Sequence, residues 1–117
     1  MRIALIATLS ALLATPALAD GFSKISDRSE FLSLVQGHDL KRFGIKLVVT
    51  PDGNITGRAF GRDVTGAWNW DAGYFCRELS WGAKSVARNC QVVKVQEDTV
   101  RFIADKGTGD HADFALR

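Results

Sequence analysis

The side chains that could do chemistry are concentrated between Val64 and Cys90. This stretch, VTGAWNWDAGYFCRELSWGAKSVARNC, holds all three tryptophans, the only tyrosine and both cysteines of the 117-residue chain. Aromatic rings can stack on a small ligand while a neighbouring charge fixes its polar end. The candidate ligand-binding residues are therefore the aromatic and ionisable side chains at its centre: Trp70, Tyr74, Arg77, Glu78 and Trp81.

The direction of Arg77 and Glu78 decides what this stretch can do. In a strand over residues 74–81, successive side chains point to opposite faces. The two alternating sets are Tyr74, Cys76, Glu78 and Ser80, and Phe75, Arg77, Leu79 and Trp81. An inward charge among aromatic rings would mark a site, whereas an ion pair on the outer face would contribute little. The sequence leaves both orientations open.

No catalytic constellation emerges from the remaining residues. Nucleophilic catalysis needs a nucleophile, a base and an orienting group within reach of one another. The only imidazoles are His38 and His111, and neither lies in a catalytic motif. Gly107-Thr108-Gly109 lacks the following helix that a phosphate cradle requires. The sequence favours a non-catalytic protein without a cofactor; an enzyme would need an acid–base pair that folding brings into one cleft.

The two cysteines predict one disulfide. Cys76 and Cys90 lie at equal distances on either side of residue 83, within Gly82-Ala83-Lys84. A hairpin that turns there places them opposite each other on neighbouring strands, within bonding reach. Their spacing fits no zinc signature, so no metal site is expected.

The N-terminus has the features of a signal peptide. Arg2 supplies a positive charge, residues 3–13 form an almost continuous apolar run, and Ala17-Leu18-Ala19 is a small-x-small cleavage site. The run is shorter than the roughly 20 apolar residues that cross a bilayer. We expect residues 1–19 to be removed and the protein to be periplasmic or secreted, with no membrane span.

The remaining residues, 20–117, are enough for one small domain. They carry fourteen Lys and Arg against thirteen Asp and Glu, because Arg2 is removed with the signal peptide. The basic residues are scattered, which argues against a nucleic-acid partner, since such proteins usually show a basic face or stripe.

One helix and about seven strands are predicted. Asp27-Arg28-Ser29-Glu30 is a capping box that begins a helix over Asp27–Gln36, and Gly37 can end it. Period-two alternation then continues to the C-terminus. The expected strands lie around residues 40–50, 55–61, 64–71, 74–81, 89–96, 100–105 and 111–117, with loops at 82–87 and 106–110.

These elements predict a mainly β fold. Short connections force neighbouring strands to be antiparallel, and seven strands with one apolar face must close or pack as two sheets. We expect a meander that forms a small barrel or half-barrel, with the helix covering one end. Trp68 should fill the core above Gly57, Ala59 and Gly61. Trp70 and Trp81, near strand ends, could equally fill the core or line a pocket.

The order of GAWNW, GYFCREL, NCQVV, RFIADKGTG and ADFALR resembles a family of small exported alphaproteobacterial proteins with W-x-W, YFCRE and NCQ motifs. The family implies no established function. Its members often bear a dihydrodipicolinate reductase label, but that reaction needs a nicotinamide-binding domain whose Gly-rich turn and length this sequence lacks.

A second similarity is architectural, to lipocalin-like barrels and to small periplasmic barrels that inhibit lysozyme or proteases. Gly66-Ala67-Trp68 is similar to the lipocalin G-x-W, although it lies in the middle of the chain. We therefore expect a periplasmic barrel that binds a small ligand. The alternative is an inhibitor or envelope protein that binds another protein through loops at 82–88 or 106–110.

Overall fold

The computed structural model describes residues 21–117, so the predicted signal peptide and its cleavage site lie outside the described residues. The described chain contains one regular helix, α1, one short helical turn, α2, and nine strands. Their bounds are β1 (Ser23–Lys24), α1 (Arg28–Val35), β2 (Leu40–Arg42), β3 (Ile45–Val49), β4 (Asn54–Ala59), β5 (Arg62–Asp71), β6 (Tyr74–Trp81), β7 (Lys84–Gln96), β8 (Thr99–Ile103), α2 (Ala104–Gly107) and β9 (His111–Leu116).

Strands β2 to β9 form a closed antiparallel barrel of eight strands. Each strand pairs with the next in sequence, and β9 returns to pair with β2 through Leu40 opposite Leu116. The short β1 adds to the part of β7 beyond its pairing with β6. The prediction of a small, mainly β barrel is confirmed, and the barrel closes because the meander has enough strands to pair its last with its first.

Two strand predictions differ from the structure. The predicted strand over 40–50 is two strands, because Phe43-Gly44 forms a tight turn between β2 and β3. The predicted loop at 82–87 is wrong: only Gly82 and Ala83 form the turn, and β7 runs for 13 residues. Its first residues, KSVAR, are mostly polar and exposed, so they lack the apolar alternation that marks a half-buried strand.

Helix α1 closes one end of the barrel, as expected. Asp27 caps it by accepting a hydrogen bond from the Glu30 amide at 2.9 Å, while the Glu30 carboxylate accepts one from the Ser26 amide. The Phe31 side chain is 0% exposed. Its ring lies 5.0–6.3 Å from four aromatic rings of the barrel, those of Trp68, Trp70, Phe75 and Phe102. The aromatic cluster therefore joins the helix to the strands.

The opposite end of the barrel, which we call the open end, is bordered only by turns and by α2. Its turns are Phe43-Gly44, Phe60-Gly61, Gly82-Ala83 and the connection over 104–110. Asp105 and Lys106, within that connection, have positive φ angles of 55° and 56°. The predicted loop at 106–110 thus begins inside this left-handed turn.

The predicted disulfide between Cys76 and Cys90 is present. The two residues are direct partners in the pairing of β6 with β7, so the bridge crosses neighbouring strands. Cys76 is wholly buried although it lies on the outer side of β6, because its neighbours on both strands and the chain around α2 cover it.

Candidate functional site

The structure settles which face of β6 points inward. Arg77 pairs with Trp68 and Leu79 with Gly66, both of which belong to the inward set of β5. Phe75 and Trp81 lie on this same face by alternation. The inward set of β6 is therefore Phe75, Arg77, Leu79 and Trp81, and a charged side chain projects into the barrel.

A cavity of about 290 Å³ occupies the barrel interior and reaches the open end. Most of its wall is apolar, contributed by six strands and by α2: Leu40, Leu47, Val49, Ile55, Phe75, Leu79, Phe102, Ala104, Ala112 and Phe114. Four polar residues complete it: Arg77, Gln91, Asp110 and His111. Asp110 and His111 are exposed at the mouth, whereas Arg77 and Gln91 lie deeper. An apolar chamber with few polar groups is the usual form of a small-molecule site.

Arg77 is the charged group in the deeper part of the chamber wall, whereas Asp110 lies exposed at the mouth. Its Nη1 donates a hydrogen bond of 2.9 Å to the Ala87 carbonyl. Among the described residues this is its one recorded hydrogen bond, and no carboxylate forms an ion pair with it. A guanidinium has five N–H donors, so most of its hydrogen-bonding capacity is unused.

The backbone around Ala87 explains how Arg77 is held. The register between β6 and β7 shifts between Arg77 and Leu79, so that β7 carries a bulge opposite Glu78. Bulges bend a strand and re-aim its side chains and carbonyls. Here the bulge brings the Ala87 carbonyl within reach of the guanidinium and fixes its position on the chamber wall.

Burial also changes the electrostatics of this group. Desolvation lowers the pKa of Arg77 below its ordinary value, because removing water disfavours the charged form. The guanidinium still keeps its charge at neutral pH, since its ordinary pKa lies so far above that range. A half-buried cation without an anionic partner is a site at which a ligand's anion would be stabilised.

A polar network fixes the side of the chamber nearest its mouth. The buried Gln91 amide donates to the Asn89 side-chain oxygen at 3.1 Å. The same Asn89 oxygen accepts from the Asp105 amide at 3.0 Å, and the Asn89 amide donates to the Asp105 carboxylate at 2.7 Å. These bonds tie the left-handed turn to β7, so the connection over 104–110 is held as a fixed wall.

The structure separates the five predicted ligand-binding residues. Arg77 lines the chamber. Glu78 lies on the outer face, exposed, with its carboxylate 3.9 Å from Arg88. Tyr74 also lies outside, where the Lys106 ammonium sits 5.3 Å from its ring centre. Of these three residues, Arg77 alone lines the chamber, and Tyr74 and Glu78 do not.

Trp70 and Trp81 both point into the barrel, but neither lines the chamber. Trp70 stacks on Phe31 at 5.3 Å near the helix, and its buried Nε1–H has no acceptor among the described residues. Trp81 lies toward the open end, where its Nε1 donates to the Ala59 carbonyl at 2.7 Å. The indole above the small residues of β4 is thus Trp81, whereas the buried Trp68 donates to Thr50 at the helix end.

Most residues that line the chamber were not identified as candidate ligand-binding residues from the sequence. Leu47, Val49, Phe102 and Phe114 come from strands distant in sequence from β6, and they look like ordinary core residues. The pattern that could have identified them is the alternation of each strand, which places all four at inward-facing positions. Gln91 was identifiable in a different way, as a polar residue at an inward position of β7.

Other kinds of site find little support in the described part of the chain. No group of three or more His, Cys, Asp and Glu side chains within residues 21–117 is placed to hold a metal ion. His38 follows α1, while His111 lies at the open end, so the two imidazoles are at opposite ends of the barrel. No helix among the described residues is long and apolar enough to cross a membrane.

Comparison of the sequence and structure with protein-family models, curated proteins and solved structures finds no match.

Proposed function

We propose that this protein is an exported, non-catalytic binding protein whose barrel holds a small amphiphile with an apolar body and one anionic head. The apolar chamber would take the body, and the Arg77 guanidinium would bind the head. The observation that carries the proposal is Arg77 itself, a half-buried cation on an apolar wall with no anionic partner among the described residues.

The size of the chamber limits the ligand. A cavity of about 290 Å³ is at the small end of the roughly 300–1,000 Å³ that ligand pockets usually occupy. A medium-chain fatty acid or a compact aromatic acid suits this volume, whereas a long-chain lipid or a nucleotide does not. The position of the head follows from Arg77, and the tail would extend along Leu47, Val49 and Ile55 toward the helix end.

Matched ligands test the proposal by isothermal titration calorimetry. Decanoate, decanol and decylammonium share one chain and differ in the charge of the head. We expect decanoate to bind about tenfold or more tightly than decanol, since a hydrogen bond to a charged group contributes roughly 1.5–3 kcal/mol. Decylammonium should bind most weakly, because its cation would face the guanidinium.

Substitution of Arg77 separates binding from folding. Arg77→Met should bind decanoate no better than decanol, while Arg77→Lys should keep part of the preference because it keeps the charge. A structural role alone would lower the melting temperature without changing the ranking of the three ligands. Equal binding of all three by the unaltered protein would refute the proposal.

Export is part of the same proposal. A disulfide persists in oxidising compartments such as the bacterial periplasm, and residues 1–19 have the pattern of a cleaved signal. Expression of the full chain with a C-terminal tag should yield a periplasmic product that begins at Asp20. A cytoplasmic, full-length product would contradict export and leave the ligand proposal standing. The resemblance to the small exported family likewise stays a prediction.

The alternative of an inhibitor acting through loops also stays a prediction. The segment over 82–88 is mostly strand, and the segment over 106–110 begins beside an anchored turn. No contact in the described residues favours a protein partner at either place over a ligand in the chamber.

A further inference from the structure

Two exposed phenylalanines stand side by side at the open end of the barrel. The side chains of Phe43 and Phe60 are 90% and 60% exposed, and they are the large apolar side chains most exposed among the described residues. Their ring centres lie 6.3 Å apart. Each ring occupies a hairpin turn, Phe43-Gly44 between β2 and β3 and Phe60-Gly61 between β4 and β5. We call these turns the aromatic tips.

The two tips form one rigid unit. The Phe60 amide donates a hydrogen bond of 2.8 Å to the Gly44 carbonyl. Gly44 has a φ of 75°, and a Cβ on it would overlap the Phe60 ring, so the ring lies directly on that turn. The pair is therefore held outward by the backbone.

Phe60 is an unfavourable residue type for its backbone conformation. Its φ is 50° and that of Gly61 is 82°, the left-handed pair that a two-residue hairpin turn requires. Asn and Gly are favoured there, because a side chain with a bulky ring is strained at positive φ. The ring packs on the Gly44 turn but stays 60% exposed and outside the barrel core, so a strained aromatic side chain at this position points to a role in contact with something else.

Charge surrounds the tips. Residues 41–46 and 58–63 together carry five cations and one acid: Lys41, Arg42, Lys46, Arg58, Arg62 and Asp63. Arg58 pairs with Asp63 at 2.6 Å, and Lys46 lies 3.6 Å from Asp39. Arg62 lies over the Trp81 ring at 4.9 Å. Lys41, Arg42 and Arg62 form no ion pair among the described residues. The surroundings of the two rings therefore keep an excess of positive charge, although Asp113 lines the same depression.

We infer that the aromatic tips dock the open end of the barrel onto an anionic phospholipid surface. The two phenyl rings would enter the boundary between headgroups and acyl chains, while the cations around them bind lipid phosphates. Aromatic side chains next to Lys and Arg are the combination that binds a protein to such an interface. His111 lines both the chamber and the depression beside the tips, so docking would turn the mouth toward the lipid.

This inference stands on the tips and does not need the ligand proposal. Binding to vesicles is measured without any ligand, so either idea can fail alone. Transfer of an amphiphile between membrane and chamber would need both.

The test is co-sedimentation of the protein, residues 20–117, with vesicles of phosphatidylcholine that contain 30% phosphatidylglycerol or none. We expect binding to the anionic vesicles that weakens as salt is raised, because the cations around the tips are screened. Phe43→Ser and Phe60→Asn should each weaken it by about tenfold or more, since burying a phenyl ring contributes on that scale.

The variants also separate docking from folding. Asn suits the left-handed position of Phe60, so Phe60→Asn should unfold at the same temperature or a higher one while losing vesicle binding. Lys41→Ser at the tips should weaken binding about fivefold, whereas Lys24→Ser, an equal charge change on the distant β1, should leave it almost unchanged.

Three outcomes would overturn the inference. The first is no binding of the unaltered protein to anionic vesicles. The second is binding that both phenylalanine variants retain. The third is a dimer, seen by sedimentation equilibrium and lost in Phe43→Ser, in a protein that ignores vesicles; the tips would then bind a second copy of this chain.

Discussion

Arg77 and Trp68 are direct partners across the β5–β6 pairing, and both point into the barrel. The largest buried side chain of β5 thus lies beside the one inward cation of β6. Trp68 satisfies its indole N–H on the Thr50 carbonyl at 2.9 Å, whereas the guanidinium has only the Ala87 carbonyl among the described residues. At this level of the barrel the indole N–H of Trp68 therefore has its acceptor, whereas most N–H donors of Arg77 have none. The guanidinium borders the chamber.

Filling the chamber should abolish ligand binding without unfolding the protein. Ala112 lines the chamber, so Ala112→Phe would place a phenyl ring in it. Because the ring would enter space that is already empty, we expect the free energy of unfolding to fall by no more than the roughly 1–3 kcal/mol that inserting a larger side chain usually costs. Decanoate binding by calorimetry should disappear.

Ala115 provides the matched control for that substitution. It lies three residues further along β9, on the outer face opposite Lys41 and Thr99. Ala115→Phe should keep decanoate binding. If both variants bind normally, the ligand lies somewhere other than the chamber.

The packing of helix α1 on the barrel should depend mainly on the side chain of Phe31. Phe31 is fully buried among four aromatic rings, so Phe31→Ala should lower the free energy of unfolding by about 3–5 kcal/mol. That is a large part of the roughly 5–15 kcal/mol that stabilises a small domain. Urea unfolding followed by tryptophan fluorescence measures the loss. Leu32→Ala, at a partly buried position of the same helix, should cost clearly less; equal losses would show that the ring cluster does not hold the helix.

The disulfide should stabilise the barrel by restricting the unfolded chain. Cys76 and Cys90 are 14 residues apart, and the chain-entropy model gives about 3 kcal/mol for a loop of this size. The double variant Cys76→Ala with Cys90→Ala should lose about that amount in urea unfolding. In the unaltered protein, reductant should produce a similar loss once the chain has been unfolded. A double variant as stable as the parent would contradict this account.

Stability at acid pH should depend on Asp113. Two hydrogen bonds from Arg101, at 2.7 and 2.9 Å, hold the pKa of this carboxyl below its ordinary 3.8. The contribution is therefore complete above about pH 4 and is lost as the pH falls through the lowered pKa. Asp113→Asn should be less stable than the parent at pH 6, by at most about 1 kcal/mol because the pair is partly exposed.

Thermal unfolding between pH 2 and pH 6 checks this expectation. The difference between Asp113→Asn and the parent should shrink as the pH falls through the lowered pKa of Asp113, because the parent carboxyl then becomes protonated too. Asp63→Asn, at a far more exposed ion pair, is the control and should have a smaller effect. A difference that grows toward low pH would mean that Asp113 acts in some other way.

Local patterns were sufficient to predict much of the fold. The capping box at Asp27 correctly marked the start of the helix, because its hydrogen bonds involve residues close in sequence. The symmetric spacing of Cys76 and Cys90 correctly gave both the hairpin and the bridge. A small barrel or half-barrel followed from strand number and apolar alternation, whereas its closure and its eighth strand were not predicted.

The orientation of β6 could not be predicted, and the physical reason is clear. Both of its faces are partly covered, the inner by the core and the outer by the disulfide and the chain around α2. Judged by residue type alone, the face with Tyr74 and Cys76 is therefore as suitable for the barrel interior as the face with Phe75 and Leu79. Alternation identifies a core face only where the other face meets water.

The chamber was equally hidden in the sequence. Its walls are mostly ordinary apolar side chains from six strands and α2, and whether they fill the barrel depends on the sum of their volumes in three dimensions. The bulge that holds Arg77 on the wall depends on the pairing of β6 with β7, which no local pattern specifies.

Binding of an anionic amphiphile in the chamber is tested most directly by an NMR titration of the protein with decanoate, following the Arg77 Nε–Hε signal and the methyl groups of Leu47, Val49 and Leu79. We expect these signals to shift together and to saturate at one decanoate per protein, and Arg77→Met to remove the preference for decanoate over decanol. Shifts confined to the aromatic tips, or chamber signals that do not respond at all, would contradict binding in the chamber.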